Sequence, residues 1–356
     1  MTINSEKVRN RRGARSVSAL LGMVAAVMLV LAGCSVDNSE DSGKPTIRLA
    51  YQSFPSGDLI VKNNGWLEEA LPEYNIKWTK FDSGADINTA FVAKELDFGA
   101  IGSSPVARGL SAPLNIPYQV VFVLDVAGDN EALVARNGTG IATVADLKGK
   151  RVATAFASTA HYSLLAALNQ AGVNPEDVDL IDLQPQASLA AWQRGDVDAV
   201  YTWLPTLDEL RKDGTTIIAS RQLATAGKPT LDLGVVSTEF ADAHPEVVDT
   251  WRKVQARALT LIKDDPQAAA EAVAAQLNTT PEDAANQLKQ GTYLTVAELT
   301  SPTWLGTEGN PGNLAENLHS AAEFLAEQQQ IPSAPPLKTF QDAIYTKGLP
   351  GVVEQQ

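Results

Sequence analysis

The sequence predicts an α/β fold of two lobes, and three features carry that expectation. Short apolar runs of strand character alternate with amphipathic helical stretches, and this β-α order occurs twice in succession, as two mostly parallel sheets flanked by helices would require. Roughly 310 residues follow a polar leader, enough for two domains of ordinary size. Past Ser237 the chain turns helical and rich in Ala, Glu and Gln, with breaks at Pro245, Pro266, Pro281 and Pro302 and no strand of any strength. The expected boundaries are a first lobe over 46–135, a second over 136–228, and a return to the first lobe with a helical C-terminal tail over 229–356.

At the start of the chain, Lys7, Arg9, Arg11, Arg12 and Arg15 precede the apolar run from Ala19 to Leu31, which ends in Leu31-Ala32-Gly33-Cys34. A basic segment, an apolar run too short for a membrane span and small residues before a cut describe an export signal over 1–33. Cys34 is the single cysteine and stands at the cut. Elsewhere a lone cysteine would be a small buried hydrophobe, but LAGC resembles the lipobox of bacterial lipoproteins. That resemblance implies a diacylglycerol on the Cys34 thiol and a lipid anchor in the cell membrane. Arg11 and Arg12 leave general and twin-arginine export both open. Residues 34–45 are polar and make a tether.

Without residues 1–33 the chain keeps 23 Lys+Arg against 41 Asp+Glu, a net charge of −18. Such a surface argues against nucleic acid as a partner, and any anion site must work through local N–H and hydroxyl geometry. Three histidines without an HExxH or a paired cluster give no metal site, and the absence of GxGxxG and GxxxxGKS/T gives no cofactor.

Taken in order, Thr46–Tyr51 alternates as a strand, and Gln52 falls where it ends, the place at which ligands gather in open α/β sheets. Asp58–Ala70 reads as a helix, Asn75–Phe81 as a strand, and Asp82-Ser83-Gly84 as the turn into a helix that ends near Lys94. Leu96–Ile101 is a strand that stops at the hydroxyl-rich junction Gly102-Ser103-Ser104-Pro105. Tyr118–Val126 and Ala132–Ala135 are strand-like, and a second junction of the same kind lies in RVATAFASTAHYSLLAALNQAG, Arg151–Gly172. There a short strand runs through Ala157, Ser158 and Thr159 into a helix whose first-turn N–H groups lack intrahelical partners, which suits an anion. The same two hydroxyls would equally serve as an N-cap. Asp179–Leu183, Ser188–Arg194 and Val197–Thr202 continue as strand, helix and strand, and Leu233–Ser237 is a strand reached by a crossing near Gly227–Asp232.

Three blocks carry a family resemblance: KFDSGADI (Lys80–Ile87) with IGSSP (Ile101–Pro105); NEALVARNGTGI (Asn130–Ile141); and ASTAHYSLLAAL with LQP, AAWQRGDVDAVYTWLP and PTLD, between Ala157 and Asp232. From about Thr46 to Trp251 the chain resembles the type II periplasmic binding proteins of ABC importers, and among them the taurine and alkanesulfonate binders. The resemblance implies a two-lobed periplasmic-binding-protein-like fold, a ligand held between lobes that close about a hinge, and an ABC permease with its ATPase subunit as partners. Taurine needs neutral donors for its sulfonate and carboxylates for its ammonium. Ser158 and Thr159 with their helix start, Ser103 and Ser104 as a second jaw, and His161 by hydrogen bond or charge are the expected sulfonate partners. Glu131 and Asp232 match family positions for the ammonium, with Trp203 or Tyr201 as a ring face over it and Asp82 a weaker candidate. Leu231–Val236 departs from the family, which tends to carry an aromatic residue where this chain has Leu233 and Gly234, and this bears on how closely the amine is enclosed. Binders of other sulfonates or of nitrate, and thiamine-pyrimidine synthesis enzymes on the same architecture, are the alternatives; His161 without an evident nucleophile argues against an enzyme.

Overall fold

The computed structural model describes residues 43–349. The export signal over 1–33, the lipidated Cys34 and nearly all of the tether to 45 lie outside the described residues, as do residues 350–356.

The first lobe opens with β1 (Thr46–Gln52), β2 (Asn75–Phe81), β3 (Phe98–Gly102) and β4 (Tyr118–Val126). The second is built on β5 (Glu131–Arg136), β6 (Arg151–Thr154), β7 (Asp179–Asp182), β8 (Ala199–Trp203) and β9 (Gly214–Ala219), and β10 (Leu231–Ser237) returns to the first. The two five-stranded sheets run β2-β1-β3-β10-β4 and β7-β6-β8-β5-β9. In each, one strand is antiparallel to both neighbours: β10 to β3 and β4, and β5 to β8 and β9. Those two strands are the ones that follow a crossing between lobes. The chain enters each lobe at the edge where the other strands finish, so the entering strand must run the opposite way.

That rule corrects the first boundary. β5 pairs with β8 in the register Leu133↔Tyr201, so the crossing lies at 127–130 and Ala132–Ala135 belong to the second lobe rather than the first. All four are buried. A strand apolar on both faces announces burial without saying which sheet it joins. The return crossing lies between the helix Ser220–Thr225 and Leu231. Two smaller differences are local. The helix expected over 58–70 is split into Gly57–Asn64 and Trp66–Ala70 by Gly65, whose φ of 65° caps the first piece in the left-handed region. β9 carries no clear strand pattern in the sequence, because its exposed Thr215 and Thr216 stand next to each other and break the alternation.

The tail packs on the first sheet, as the helical pattern suggests. Val120 N–H donates to Ala343 O at 2.7 Å, and Tyr345 N–H to Val120 O at 2.9 Å. The fully buried Arg252 donates to Val121 O at 2.9 Å, to Lys347 O at 2.5 Å and to Tyr345 O, and so ties β4 and the stretch 345–347 to one guanidinium. Within the described residues the tail also holds a two-stranded hairpin of Gly306–Thr307 and Asn310–Pro311. Trp251 explains the departure at Leu233 and Gly234. It stacks on Phe98 with ring centroids 5.4 Å apart, and a Cβ on Gly234 would lie 2.3 Å from its ring. The aromatic bulk is supplied from the tail, and both β10 residues face the core.

Asp58 is a buried acidic residue of this lobe, 2% exposed near the start of its helix. Gln255 Nε2 donates to its Oδ1 at 2.6 Å, and Oδ2 has no partner. Burial pushes the carboxyl up to about 7, against the opposing Gln255 bond. The folded chain therefore keeps a proton that the unfolded chain releases, and stability is lost as pH rises from about 4 through about 7. Asp58→Asn, which cannot ionise, should raise stability at about pH 8 by up to roughly 4 kcal/mol and flatten the decline. Thermal melts of both proteins between about pH 5 and about pH 8 check this; parallel curves would contradict it.

Candidate ligand-binding cleft

Strand register brings the polar ends of both sheets to one place. In the first lobe Asp232, at the start of β10, lies directly across from Gly102 at the end of β3 and from Asp125 near the end of β4. In the second, Glu131 at the start of β5 pairs with Trp203 at the end of β8. Beyond the end of β6 the chain turns through Ala157, φ 57°, into the helix Thr159–Gln170. Between these ends lies a cleft, partly open to solvent, whose walls include Gln52, Glu131, Ser158, Thr159, Trp203 and Asp232.

Glu131 is 3% exposed and has no cation beside it; four hydroxyls meet its charge instead. Ser163, Ser220 and Thr230 donate to Oε1 at 3.0, 2.6 and 3.0 Å, and Thr159 donates to Oε2 at 2.5 Å. Burial raises the pKa of this carboxyl and the four hydroxyls oppose the rise. Thr159 thus spends its proton on Glu131, while its methyl faces the other lobe. A Cβ on Gly102 would stand 2.5 Å from Thr159 Cγ2, so the lobes touch there and only a glycine permits the approach.

Ser158 proves to be the N-cap. Its Oγ accepts from His161 N–H at 3.1 Å and donates to Ala155 O at 2.6 Å. The proton expected to reach an anion is therefore engaged, and what the helix start offers at this wall is its first-turn N–H groups. His161 lies outside the cleft lining, stacked on Phe156 at 4.5 Å and 6°. Its Nδ1 accepts from Ala157 N–H at 3.2 Å, and burial lowers its pKa to about 4. A neutral ring fixed in this way supplies no charge to a ligand.

The second jaw also differs from expectation. Ser103 and Ser104 are 2% exposed and off the cleft wall, where Gly102 and Pro105 stand in their place. Ser103 Oγ accepts from Leu231 N–H at 3.1 Å and so fixes the start of β10. Gln52 lines the cleft and donates from Nε2 to Ala100 O at 3.1 Å. Tyr201 is fully buried with its hydroxyl 3.0 Å from Ser220 Oγ, a core position. Asp82 borders a neighbouring hollow that shares Trp203 with the cleft.

Sequence reasoning missed Asp125, Asn130, Phe54 and Tyr293. Asn130 lines the cleft, accepts from Gly128 N–H at 2.6 Å and reaches Asp125 Oδ2 at 3.4 Å. Phe54 forms apolar wall, and Tyr293 donates to Pro55 O at 2.9 Å beside it. Asp125 had a signal: a carboxylate in the otherwise apolar run VVFVLDV is costly to bury and marks a site.

The NMT1/THI5 like family model matches residues 82–269. The taurine-binding periplasmic protein of Escherichia coli (strain K12) is 39% identical over 298 residues, covering 81% of this chain and 88% of that protein. Two solved structures share the fold. The periplasmic aliphatic sulphonate binding protein of Escherichia coli gives a TM-score of 0.68 at 22% identity, covering 86% of this chain and 98% of that one. The alkanesulfonate-binding protein from Xanthomonas axonopodis pv. citri, bound to MOPS, gives 0.70 at 21%, covering 85% and 99%. With more than half of its residues matched by the family model and close identity along most of its length to a periplasmic binding protein, the chain belongs to the NMT1/THI5 like family.

Proposed function

We propose that this protein is an extracytoplasmic substrate-binding lipoprotein that captures taurine between its lobes and presents it to an ABC permease and its ATPase subunit. The observation that carries this reading is the composition of the cleft wall: uncharged N–H donors at the start of the helix Thr159–Gln170 share it with the carboxylates of Glu131 and Asp232. A sulfonate is permanently ionised and accepts only, so it fits the donor end. An ammonium fits between Asp232 and Glu131 Oε2, with the half-buried Trp203 offering a ring face. A plain anion would meet the two acids with nothing to balance them. The 39% identity to a taurine-binding protein supports the same ligand. A binder rather than an enzyme is favoured because Ser158 Oγ is committed to Ala155 O and the His161 ring to Phe156, leaving no activated nucleophile in the cleft.

Calorimetric titration should give taurine a dissociation constant in the micromolar range or tighter and ethanesulfonate one at least about tenfold weaker, a gap of about 1.4 kcal/mol. Asp232→Asn should weaken taurine more than ethanesulfonate. Equal affinity for the two ligands would overturn the role given to the acids.

Closure supplies a second check. Gly102 has a φ of −65°, so alanine meets no backbone strain there, but its methyl would strike Thr159. Gly102→Ala should weaken every ligand by about tenfold with little change in melting temperature; unchanged affinity would show that the lobes need not meet at this point. The anchor is tested by fractionation: Cys34→Ala should move the exported protein from the membrane to the soluble fraction, and retention on the membrane would count against lipidation at Cys34.

A further inference from the structure

Two carboxyl groups stand side by side at the edge of the cleft with no cation between them. Asp232 lines the cleft, and Asp125 is its direct partner across the β10–β4 ladder. Side chains paired in this way project from the same face of the sheet, with Cβ atoms about 5 Å apart. Asp125 is 1% exposed; Oδ2 has a long contact to Asn130 Nδ2 at 3.4 Å, and the carboxyl is hydrogen-bonded to the side chain and the backbone of Asp232.

The groups that face the pair are acids or neutral. Glu131, on β5, adds a like charge to both. The Tyr293 phenol, from the tail, gives its proton to Pro55 O, and burial and the two aspartates hold its pKa far up. The nearby arginines are engaged behind the hinge: Arg221 pairs with Asp129 at 2.9 Å, and Arg211 donates to Asp129 O and to Gln290. Burial pushes Asp125 up to about 7, and burial together with Asp125 pushes Asp232 well up as well. Two adjacent carboxyls, one buried and one half-buried, do not readily both ionise without a counter-charge, and they titrate as a unit.

We propose that Asp125 and Asp232 share one proton in the empty protein near neutral pH, and that an arriving primary ammonium displaces it to solvent, so that capture of an amine-bearing sulfonate is coupled to proton release. This deepens the taurine reading and rests on it. The ammonium keeps its own protons, since a primary amine has a pKa of about 10; the carboxylic O–H breaks, its proton passes to water, and an ammonium N–H takes its place. A sulfonate without an amine leaves the proton where it is. Asp125 acts through Asp232 and is a positioning residue. Where the pair holds its proton, that proton must be removed for binding, so taurine affinity climbs with pH until the pair has ionised, while ethanesulfonate affinity stays flat.

Titration calorimetry at about pH 6, in two buffers of different ionisation enthalpy, reads the released proton directly. Taurine should release roughly one proton, with an affinity rising about tenfold per pH unit, and ethanesulfonate none. Asp125→Asn, whose amide can donate permanently to Asp232, should still bind taurine and release close to none. Taurine binding to the parent protein with no buffer dependence would overturn the proposal, and that measurement stands even where the variant fails to fold. Wild-type release retained in Asp125→Asn would overturn it too. No taurine binding in either buffer would instead sink the taurine reading itself.

Discussion

One buried carboxylate holds the hinge region together. Glu131 is the first residue of the strand that enters the second lobe, and its four donors come from three other places: Thr159 and Ser163 on the helix at the cleft wall, Ser220 at the start of the last helix of that lobe, and Thr230 on the return crossing. A buried anion without a cation is tolerable only when hydrogen bonds saturate it. Here both crossings and the cleft helix are fixed by that demand. Removing the carboxylate would leave four hydroxyls converging on nothing, so the group that shapes the hinge is also the one whose remaining acceptor capacity opens on the cleft.

The back of the hinge is bound just as tightly, by a segment of the tail. Val126 N–H donates to Thr292 O and Asp129 N–H to Gln290 O, both at 2.9 Å, on either side of the first crossing. From the second lobe, Arg211 reaches Gln290 Oε1 at 2.6 Å and Arg221 reaches Gln290 O at 3.2 Å, while Gln287 donates to Asp208 at 3.2 Å. The tail therefore belongs to the first sheet through Arg252 and to the hinge through Gln287–Thr292. A lobe motion that opens the cleft must pivot about these bonds or break them, and this narrows the motion to a rotation about the crossings.

The order of elements was legible because each strand and helix declares its own period. β2 and β4 match the expected spans residue for residue, and most others fall within two. What the sequence could not reveal were properties that belong to pairs. β5 is apolar from Ala132 to Ala135 and could have joined either sheet. The junctions at Gly102–Pro105 and Ala157–Thr159 are both rich in hydroxyls, but a hydroxyl that caps a helix and one that grips a ligand look alike until register places them. Ser158 and Ser103 turn out to serve backbone N–H groups, whereas Thr159 joins Glu131. Asp125 lay in plain view inside an apolar strand, and only its opposition to Asp232 gives it a meaning.

Electrostatics then decides what such a cleft can hold. The chain beyond residue 33 carries a net charge of −18, and the cleft adds buried acids of its own, so no long-range field draws an anion inward. At an effective dielectric constant of about 20, one unscreened charge about 4 Å from another is worth about 4 kcal/mol. A simple oxyanion drifting toward Glu131 and Asp232 would lose that much, and one held at the helix start would still feel part of it. A ligand with a cation two carbons from its anion converts the penalty into attraction while leaving the donor end free for its oxygens. On the proposed taurine reading the acids work mainly by exclusion: they raise the energy of every anion that does not bring its own positive charge.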